Sequence, residues 1–251
     1  MGDISEGLRL LTALSNPRSG DHAAALTALP AAVLQASFVL QMLQIFTSSG
    51  VDVALRQLAA VLVKNNCVGL FAQGSTSSSS AAPQGPLIDT LHAALLQGLA
   101  DPVTEIRKAA ASLFGRVVDS YCHSYWAPLV PHLTAVLQLH CEGHVNGYGG
   151  SDGDSQRGLD SPEALDGALT AVVVLCEDAS EKLQMDPARP LDQLVPLLLA
   201  LFAHPHEPAR HAALTALNAL VYDSHRSGPL YRCAPSISAF PVHPCAYASP
   251  P

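Results

Sequence analysis

A short helical motif recurs along the chain, and this repetition constrains the fold more than any other feature. The best copy begins at Asp101-Pro102, where an aspartate can cap a helix and a proline suits its first turn. Apolar residues then recur at the helical period. Three copies share an apolar residue, an arginine, two spacers and an alanine: Leu55-Arg56 with Ala59, Ile106-Arg107 with Ala110, and Ala209-Arg210 with Ala213. A looser copy, Leu165-Asp166 with Leu169, follows the cap-and-proline pair Ser161-Pro162.

The spacing of these helices predicts a repeat array. Without a Ser-rich insert at 73–85 and a Gly/Asp-rich insert at 141–160, each unit has roughly 40 residues, the length of HEAT and armadillo repeats. We therefore predict an all-α superhelix of about five HEAT repeats over residues 1–223. In each unit a first helix, bent at a proline such as Pro131 or Pro196, precedes a capped second helix. Residues 224–251 are Pro-rich and are expected to be a disordered tail.

Composition supports helical packing and narrows the choice of partners. Apolar residues make up 49% of the chain and aromatic residues only 5%, which suits helices packed on helices. The net charge of −8 argues against a nucleic-acid surface and favours basic protein partners. The six cysteines form no CxxC pair, so we expect a reducing compartment. We find no signal peptide, and no apolar run reaches the ~20 residues that span a bilayer.

Several segments resemble the N-terminal part of the transportins, the karyopherin-β2 nuclear import receptors. The most specific match is Glu163 with Gly167-Ala168-Leu169, followed by the string Leu175 to Glu181. Three further segments are similar: Leu62-Val63-Lys64-Asn65-Asn66, Trp126 to Pro131, and Arg189-Pro190-Leu191. The resemblance covers about residues 4–222 and implies a HEAT-repeat import receptor that shuttles between cytoplasm and nucleus.

The resemblance also implies partners. Transportins bind the GTP form of the GTPase Ran in their N-terminal arch, largely through second helices, and bind nuclear-localisation-signal cargo in a C-terminal arch. We expect this chain to represent only the first of these arches, so cargo would bind through the missing one. Nuclear pore proteins are further candidate partners. The rival interpretation is a generic HEAT scaffold or adaptor, for example of the phosphatase regulatory type, that does not sense the nucleotide.

The candidate site residues are polar groups at second helices. We assign Lys64, Asn65 and Asn66 to Ran binding, with the alternative that the two asparagines only end their helix. We also assign Glu177 and Asp178, because acids near a helix C-terminus are locally unfavourable and therefore favour a basic partner. A third group recurs at one place in the repeat and is expected to bind carbonyls or acids between units, as a structural ladder: Arg56, Arg107 and Arg210.

Metal and catalytic chemistry is weakly indicated. Two sets supply metal-ligand types without the paired spacing of a zinc site: His140-Cys141 with His144, and His204, His206 and His211. A calcium-loop pattern from Asp152 to Glu163 carries Arg157 where glycine is required. No nucleophile has a base nearby in sequence. We therefore expect no catalytic residue, metal or cofactor, and an enzyme is the least favoured interpretation.

Overall fold

The computed structural model describes residues 4–72, 85–120, 127–143 and 160–227, and these residues form helices and turns without a strand. The α-helices are α1 (Ser5–Ser15), α2 (His22–Ala32), α3 (Ala36–Thr47), α4 (Val53–Ala72), α5 (Gly85–Leu99), α6 (Thr104–Ser120), α7 (Val130–Gly143), α8 (Pro162–Asp178), α9 (Ser180–Met185), α10 (Pro190–Ala200) and α11 (Glu207–Ser227). Short 3-10 turns lie at Ala127–Leu129 and Leu201–Ala203.

The helices pair and stack as the repeat pattern predicts. The first helices α3, α5, α7 and α10 each pack against the second helix of their own unit, which is α4, α6, α8 or α11. The second helices also pack on one another in chain order, and the short α1 contacts α2, α3 and α4. The prediction of an all-α HEAT-type solenoid is confirmed.

Apolar side chains at helical spacing form one continuous core along the stack. On α6, Ile106, Ala110, Leu113 and Val117 are fully or almost fully buried. Burying a large aliphatic side chain stabilises the fold by roughly 1.5–3 kcal/mol, so the hydrophobic stripe holds each helix in place. The predicted start of α8 is confirmed, because the Ser161 Oγ accepts a hydrogen bond of 3.1 Å from the Ala164 amide and a proline follows at the first helical position.

The second helix of the second unit does not end where the sequence suggested. Lys64, Asn65 and Asn66 lie inside α4, which continues to Ala72. The Asn66 Nδ2 donates a hydrogen bond of 2.7 Å to the Leu62 carbonyl, so its amide is bonded within the helix. Asparagine costs less than about 1 kcal/mol in a helix interior, so a helix can continue past it.

The prolines also act differently from the prediction. Pro131 is the second residue of α7, where a missing amide costs little, so this proline lies at the start of the helix and not in its interior. Pro196 does lie inside α10, and Pro30 likewise lies inside α2. Asp101 lies three residues before α6 and bonds the Val103 amide at 2.9 Å, which places it in the turn before the helix.

The boundaries of the predicted inserts and tail shift slightly. Gly85 is the first residue of α5, and residues 141–143 and 224–227 are helical, at the ends of α7 and α11. The remainder of these segments, at 73–84, 144–159 and 228–251, lies outside the described residues, so the division into repeats, inserts and tail stays a prediction. Within the described ranges, no single helix is long and apolar enough to cross a membrane, and only α2 with α3, bent by 117°, pass that test as a pair.

Candidate functional site

The junction between α4 and α6 contains a buried ion pair. The Arg56 Nη2 pairs with the Asp101 Oδ2, and both side chains are more than nine-tenths buried. The Arg56 Nε also donates to the Phe46 carbonyl at 2.8 Å, at the end of α3. One guanidinium therefore joins three elements: the second helix of one unit, the end of its first helix and the turn of the next unit.

The junction between α6 and α8 repeats this arrangement with a different acid. The Arg107 Nε donates to the Asp166 Oδ2 on α8 at 2.8 Å. The Arg107 Nη1 donates to the carbonyls of Asp101 and Pro102 at 2.8 and 3.0 Å, in the turn of its own unit. Asp166 occupies the motif position that holds arginine in the other three units. Because this unit carries an acid there, it can pair with the motif arginine of the preceding unit, Arg107.

The last arginine of the predicted ladder bonds its own turn. The Arg210 Nη1 donates to the carbonyls of His204 and Pro205 at 2.8 and 2.9 Å. These bonds match those of Arg107 to its turn. Within the described part of the chain, no carboxylate completes the arrangement as Asp166 does for Arg107.

A strip of polar side chains crosses the second helices toward their C-terminal halves. The Lys64 Nζ donates to the Ser112 Oγ at 3.1 Å, which links α4 to α6. Farther along α6, the Arg116 Nη1 lies 2.9 Å from the Asp119 Oδ2. The Lys182 Nζ of α9 donates to the Val118 carbonyl at 3.1 Å and lies 3.7 Å from the Asp119 Oδ1. We call this set the polar strip: Lys64, Ser112, Arg116, Asp119, Asp178 and Lys182.

Asp178 belongs to the strip through its position over α6. A Cβ on Gly115 would lie 3.7 Å from the Asp178 Oδ2, an ordinary van der Waals distance, so this carboxylate lies close to the α6 backbone. The structure thus places Lys64 and Asp178, predicted separately, on one surface. Asn65 and Glu177 are exposed beside it, and Asn66 is bonded to its own helix. Their assignment to a partner stays a prediction.

The sequence interpretation missed the roles of six residues at the junctions and in the polar strip, among them Ser112 and Asp119. Asp101 was taken only as a helix cap, Asp166 only as a looser motif copy, and Arg116 and Lys182 were not singled out. The sequence did contain a signal for Asp166, because it is an acid at the motif position that holds arginine in the other units and could therefore pair with one of those arginines. The role of Lys182 depends on the short α9, which follows α8 after a single residue and carries its lysine back over α6.

The histidine and cysteine residues do not form a reactive or metal-binding group among the described residues. His140 and His204 meet across two units with ring centroids 6.4 Å apart, and His204 and His206 are 6.5 Å apart, both edge to face. In the described ranges, no cluster of three or more His, Cys, Asp or Glu could hold a metal ion. Burial and the nearby Glu177 raise the pKa of the Cys176 thiol to about 12, so it is protonated at neutral pH. His144 and most of the calcium-loop pattern lie outside the described residues.

An apolar cavity lies between α5, α7 and α8. Its volume is about 170 Å³, and Leu96, Leu133 and Ala168 contribute to its lining together with His132. Burial lowers the pKa of His132, because the surrounding apolar groups disfavour its charged form. This cavity separates α5 from α7, while Gly167 brings α8 against α5 so closely that a Cβ there would overlap the Leu99 carbonyl.

Comparisons with known proteins agree with this architecture. The HEAT repeat family matches residues 93–121, which cover the C-terminal part of α5 and all of α6. The chain is 25% identical over 182 residues to importin subunit beta-2 of Schizosaccharomyces pombe, which is 70% of this chain and 17% of that protein. It is 24% identical over 175 residues to transportin of Dictyostelium discoideum, which is 69% of this chain and 16% of that protein.

Similarity to solved structures is weaker. An engineered protein has a TM-score of 0.30 at 15% identity, with 88% of this chain and 98% of that chain covered. A designed armadillo repeat protein has a TM-score of 0.28 at 14% identity, with 85% and 99% covered.

The paired, stacked helices and the match at 93–121 define a HEAT-type helical repeat protein. Among such proteins, the chain is transportin-like in sequence along about 70% of its length. It spans about a sixth of the length of the curated relatives it matches.

Proposed function

We propose that this chain acts in protein import into the nucleus as the Ran-binding part of a transportin-like receptor, moving between cytoplasm and nucleus. The observation that carries the proposal is the similarity to importin beta-2 and transportin along about 70% of the chain. The strip supports it physically, because it presents side chains of both signs on a preset surface spanning three units. Such a surface recognises a folded partner without catalysis.

Preference for one nucleotide state of Ran would follow from differential affinity. The chain favours whichever conformation of the partner makes better contacts with the polar strip, and the difference in binding free energy sets the preference. Lys64 and Asp178 lie toward opposite sides of the strip, so together they constrain the orientation of a partner. We assign them the main electrostatic contacts, with Asn65, Asn66 and Glu177 beside them. Complementary charges of this kind fix register and speed association.

The test is a binding titration of the purified chain with Ran loaded with GTP or GDP. We expect the GTP form to bind more tightly, and Lys64→Glu or Asp178→Lys to weaken it about tenfold, which is about 1.4 kcal/mol. Arg18→Glu is the matched control, since Arg18 is an exposed cation in the turn between α1 and α2, outside the strip. Equal binding of both forms, or none, would contradict the proposal and favour a scaffold that does not sense the nucleotide.

A further inference from the structure

One face of α6, in the interior of the helical stack, presents cations at successive turns. Lys108 and Arg116 are exposed and share this face, with Ser112 midway between them, because positions four apart are neighbours on a helix. The Lys64 Nζ of α4 bonds the Ser112 Oγ at 3.1 Å, so a third cation occupies the turn between the two. A fourth cation, Lys182 of α9, lies over the last turn of α6. We call this set the cation row: Lys64, Lys108, Arg116 and Lys182.

Neighbouring acids neutralise one end of the cation row and leave the other end uncompensated. The Asp119 carboxylate lies 2.9 Å from the Arg116 Nη1 and 3.7 Å from the Lys182 Nζ. Among the described residues, no carboxylate forms an ion pair with Lys64 or Lys108. Like charges one turn apart on a helix repel each other, so these two lysines destabilise the isolated chain slightly. A partner that supplies carboxylates at this place removes the repulsion.

Two further acids border the cation row without pairing with these lysines. Glu105 lies in the first turn of α6, where the helix dipole stabilises an acid. Asp178 lies at the other edge of the face, close to Gly115. The uncompensated charge is therefore at the middle of the row, and a complementary partner must place its carboxylates there.

The spacing of the cation row defines the kind of segment that fits it. Positions 108, 112 and 116 extend over roughly 12 Å along the helix axis, with about 5–6 Å between successive Cβ atoms. Glutamates at every fourth position of a partner helix have the same spacing. An ion pair between exposed groups contributes up to about 1 kcal/mol, so several matched pairs are needed for measurable affinity.

We infer that the cation row binds an acidic α-helix of a protein partner, with carboxylates on successive turns facing Lys108, Lys64 and Arg116. The net charge of −8 pointed to basic partners, but the charges of the chain are unevenly distributed and this face carries an excess of cations. The same net charge disfavours the phosphates of a nucleic acid, which the acidic remainder of the chain repels. The inference rests on the proposed function in that three of the four cations belong to the polar strip, and it names the chemistry that a partner presents there.

A designed peptide tests the cation row separately from Ran. The probe is a fluorescein-labelled, alanine-based helix with a glutamate at every fourth position, titrated with the full-length chain by fluorescence anisotropy at ~0.05 M salt. We expect saturable binding. Lys64→Gln and Lys108→Gln should each weaken it about threefold, and the double variant about tenfold. A peptide with glutamine in place of every glutamate should not bind.

Arg18→Gln is the matched control, because it removes the same charge from an exposed cation in the turn between α1 and α2. It should leave the affinity unchanged, and circular dichroism should show the same helicity for all variants. A control peptide with its glutamates grouped at one end should bind at least about threefold more weakly than the probe. Absence of saturable binding, equal losses in Arg18→Gln and Lys108→Gln, or equal binding of the two acidic peptides would overturn the inference.

Two further comparisons identify the partner. A single-stranded oligonucleotide that binds more tightly than the peptide, and loses affinity in the same lysine variants, would assign the cation row to a nucleic acid and overturn the inference. Peptide binding by a chain that does not bind Ran would support the cation row and contradict Ran as its partner. Binding of Ran without binding of the peptide would support the proposed function and overturn the cation row.

Discussion

The junction between α4 and α6 and the junction between α6 and α8 use the same motif arginine in different surroundings. Arg56 and its partner Asp101 are both buried, whereas the Asp166 partner of Arg107 is 42% exposed. A buried pair has a stronger mutual attraction and a larger desolvation cost than an exposed one. The repeat thus keeps the arginine while the acid comes from a turn in one junction and from a helix in the next. A residue that recurs in a repeat therefore occupies the same place in each unit, but its contribution to the free energy of unfolding differs between units.

Breaking the buried pair should have the largest effect. Arg56→Met leaves the Asp101 carboxylate buried without its cation, and we expect a loss of about 3–5 kcal/mol in the free energy of unfolding. Urea titration followed by circular dichroism measures it. Arg210→Met is the control, because it removes bonds to two carbonyls and should cost about 1–2 kcal/mol.

The double variant Arg56→Met with Asp101→Asn separates two effects: the cost of burying an unpaired Asp101 carboxylate, and the loss of the packing and hydrogen bonds of the Arg56 side chain. It should recover part of the stability, since a neutral amide is cheaper to bury than an unpaired carboxylate. Equal losses in Arg56→Met and Arg210→Met would mean that burial does not distinguish the two arginines.

The second junction depends on backbone contact as well as charge. Gly167→Ala would place a methyl group on the Leu99 carbonyl oxygen, and a backbone atom yields less easily than a side chain. We expect a loss of about 1–3 kcal/mol, the usual cost of overpacking. Gly50→Ala is the control, because its Cβ would meet nothing within 4 Å, and it should be neutral or slightly stabilising. Similar thermal midpoints for the two variants would show that α8 can move away from α5 at little cost.

The sequence predicted those parts of this architecture that depend on local pattern. Ser161-Pro162 predicted the start of α8. The motif drew attention to three arginines, of which Arg56 and Arg107 bond an acid of the next unit, whereas Arg210 bonds its own turn. It did not predict that Asp101 would meet Arg56, because the two are 45 residues apart and their contact depends on how units stack. Asn65 and Asn66 indicated a helix end because asparagine favours such ends, but α4 continues to Ala72, since a helix tolerates asparagine in its interior at a small cost. The sequence also did not predict that Lys64 and Asp178 lie on the same polar strip, because they belong to different units and only tertiary packing brings them together.

The exposed acid of the second junction should contribute less than the buried one. Asp166→Asn keeps a hydrogen-bond acceptor for Arg107 and removes a charge that water already reaches, so we expect a loss of at most about 1 kcal/mol. The difference from the native chain should shrink between ~0.05 M and ~1 M salt, where the Debye length falls to about 3 Å. The loss in Arg56→Met should persist over that range. If the loss of stability in Asp166→Asn does not depend on salt, the Arg107–Asp166 pair is shielded from the solvent as the Arg56–Asp101 pair is.

The smallest effect concerns the cavity beside the second junction, where His132 introduces a pH dependence. Burial lowers the pKa of His132 below its ordinary value of 6.5, so the unfolded chain binds more protons than the folded one as pH falls below 6.5. The neutral imidazole therefore contributes its full stability above pH 6.5, and that contribution is lost as pH falls through 6.5 toward the lower folded-state pKa. His132→Leu should flatten this part of the stability profile.

The measurement is a series of urea midpoints from pH 7.5 to about 5 for the native chain and His132→Leu. His211→Gln removes an exposed imidazole on α11 and should retain the native slope, which separates the cavity from a general histidine effect. If His132→Leu keeps the full native slope, protonation at the cavity is not what weakens the second junction in acid. A flattened slope in His132→Leu would identify the cavity as the acid-sensitive part of the second junction. The ion pair of that junction, Arg107–Asp166, is already partly exposed to water, unlike the buried Arg56–Asp101 pair.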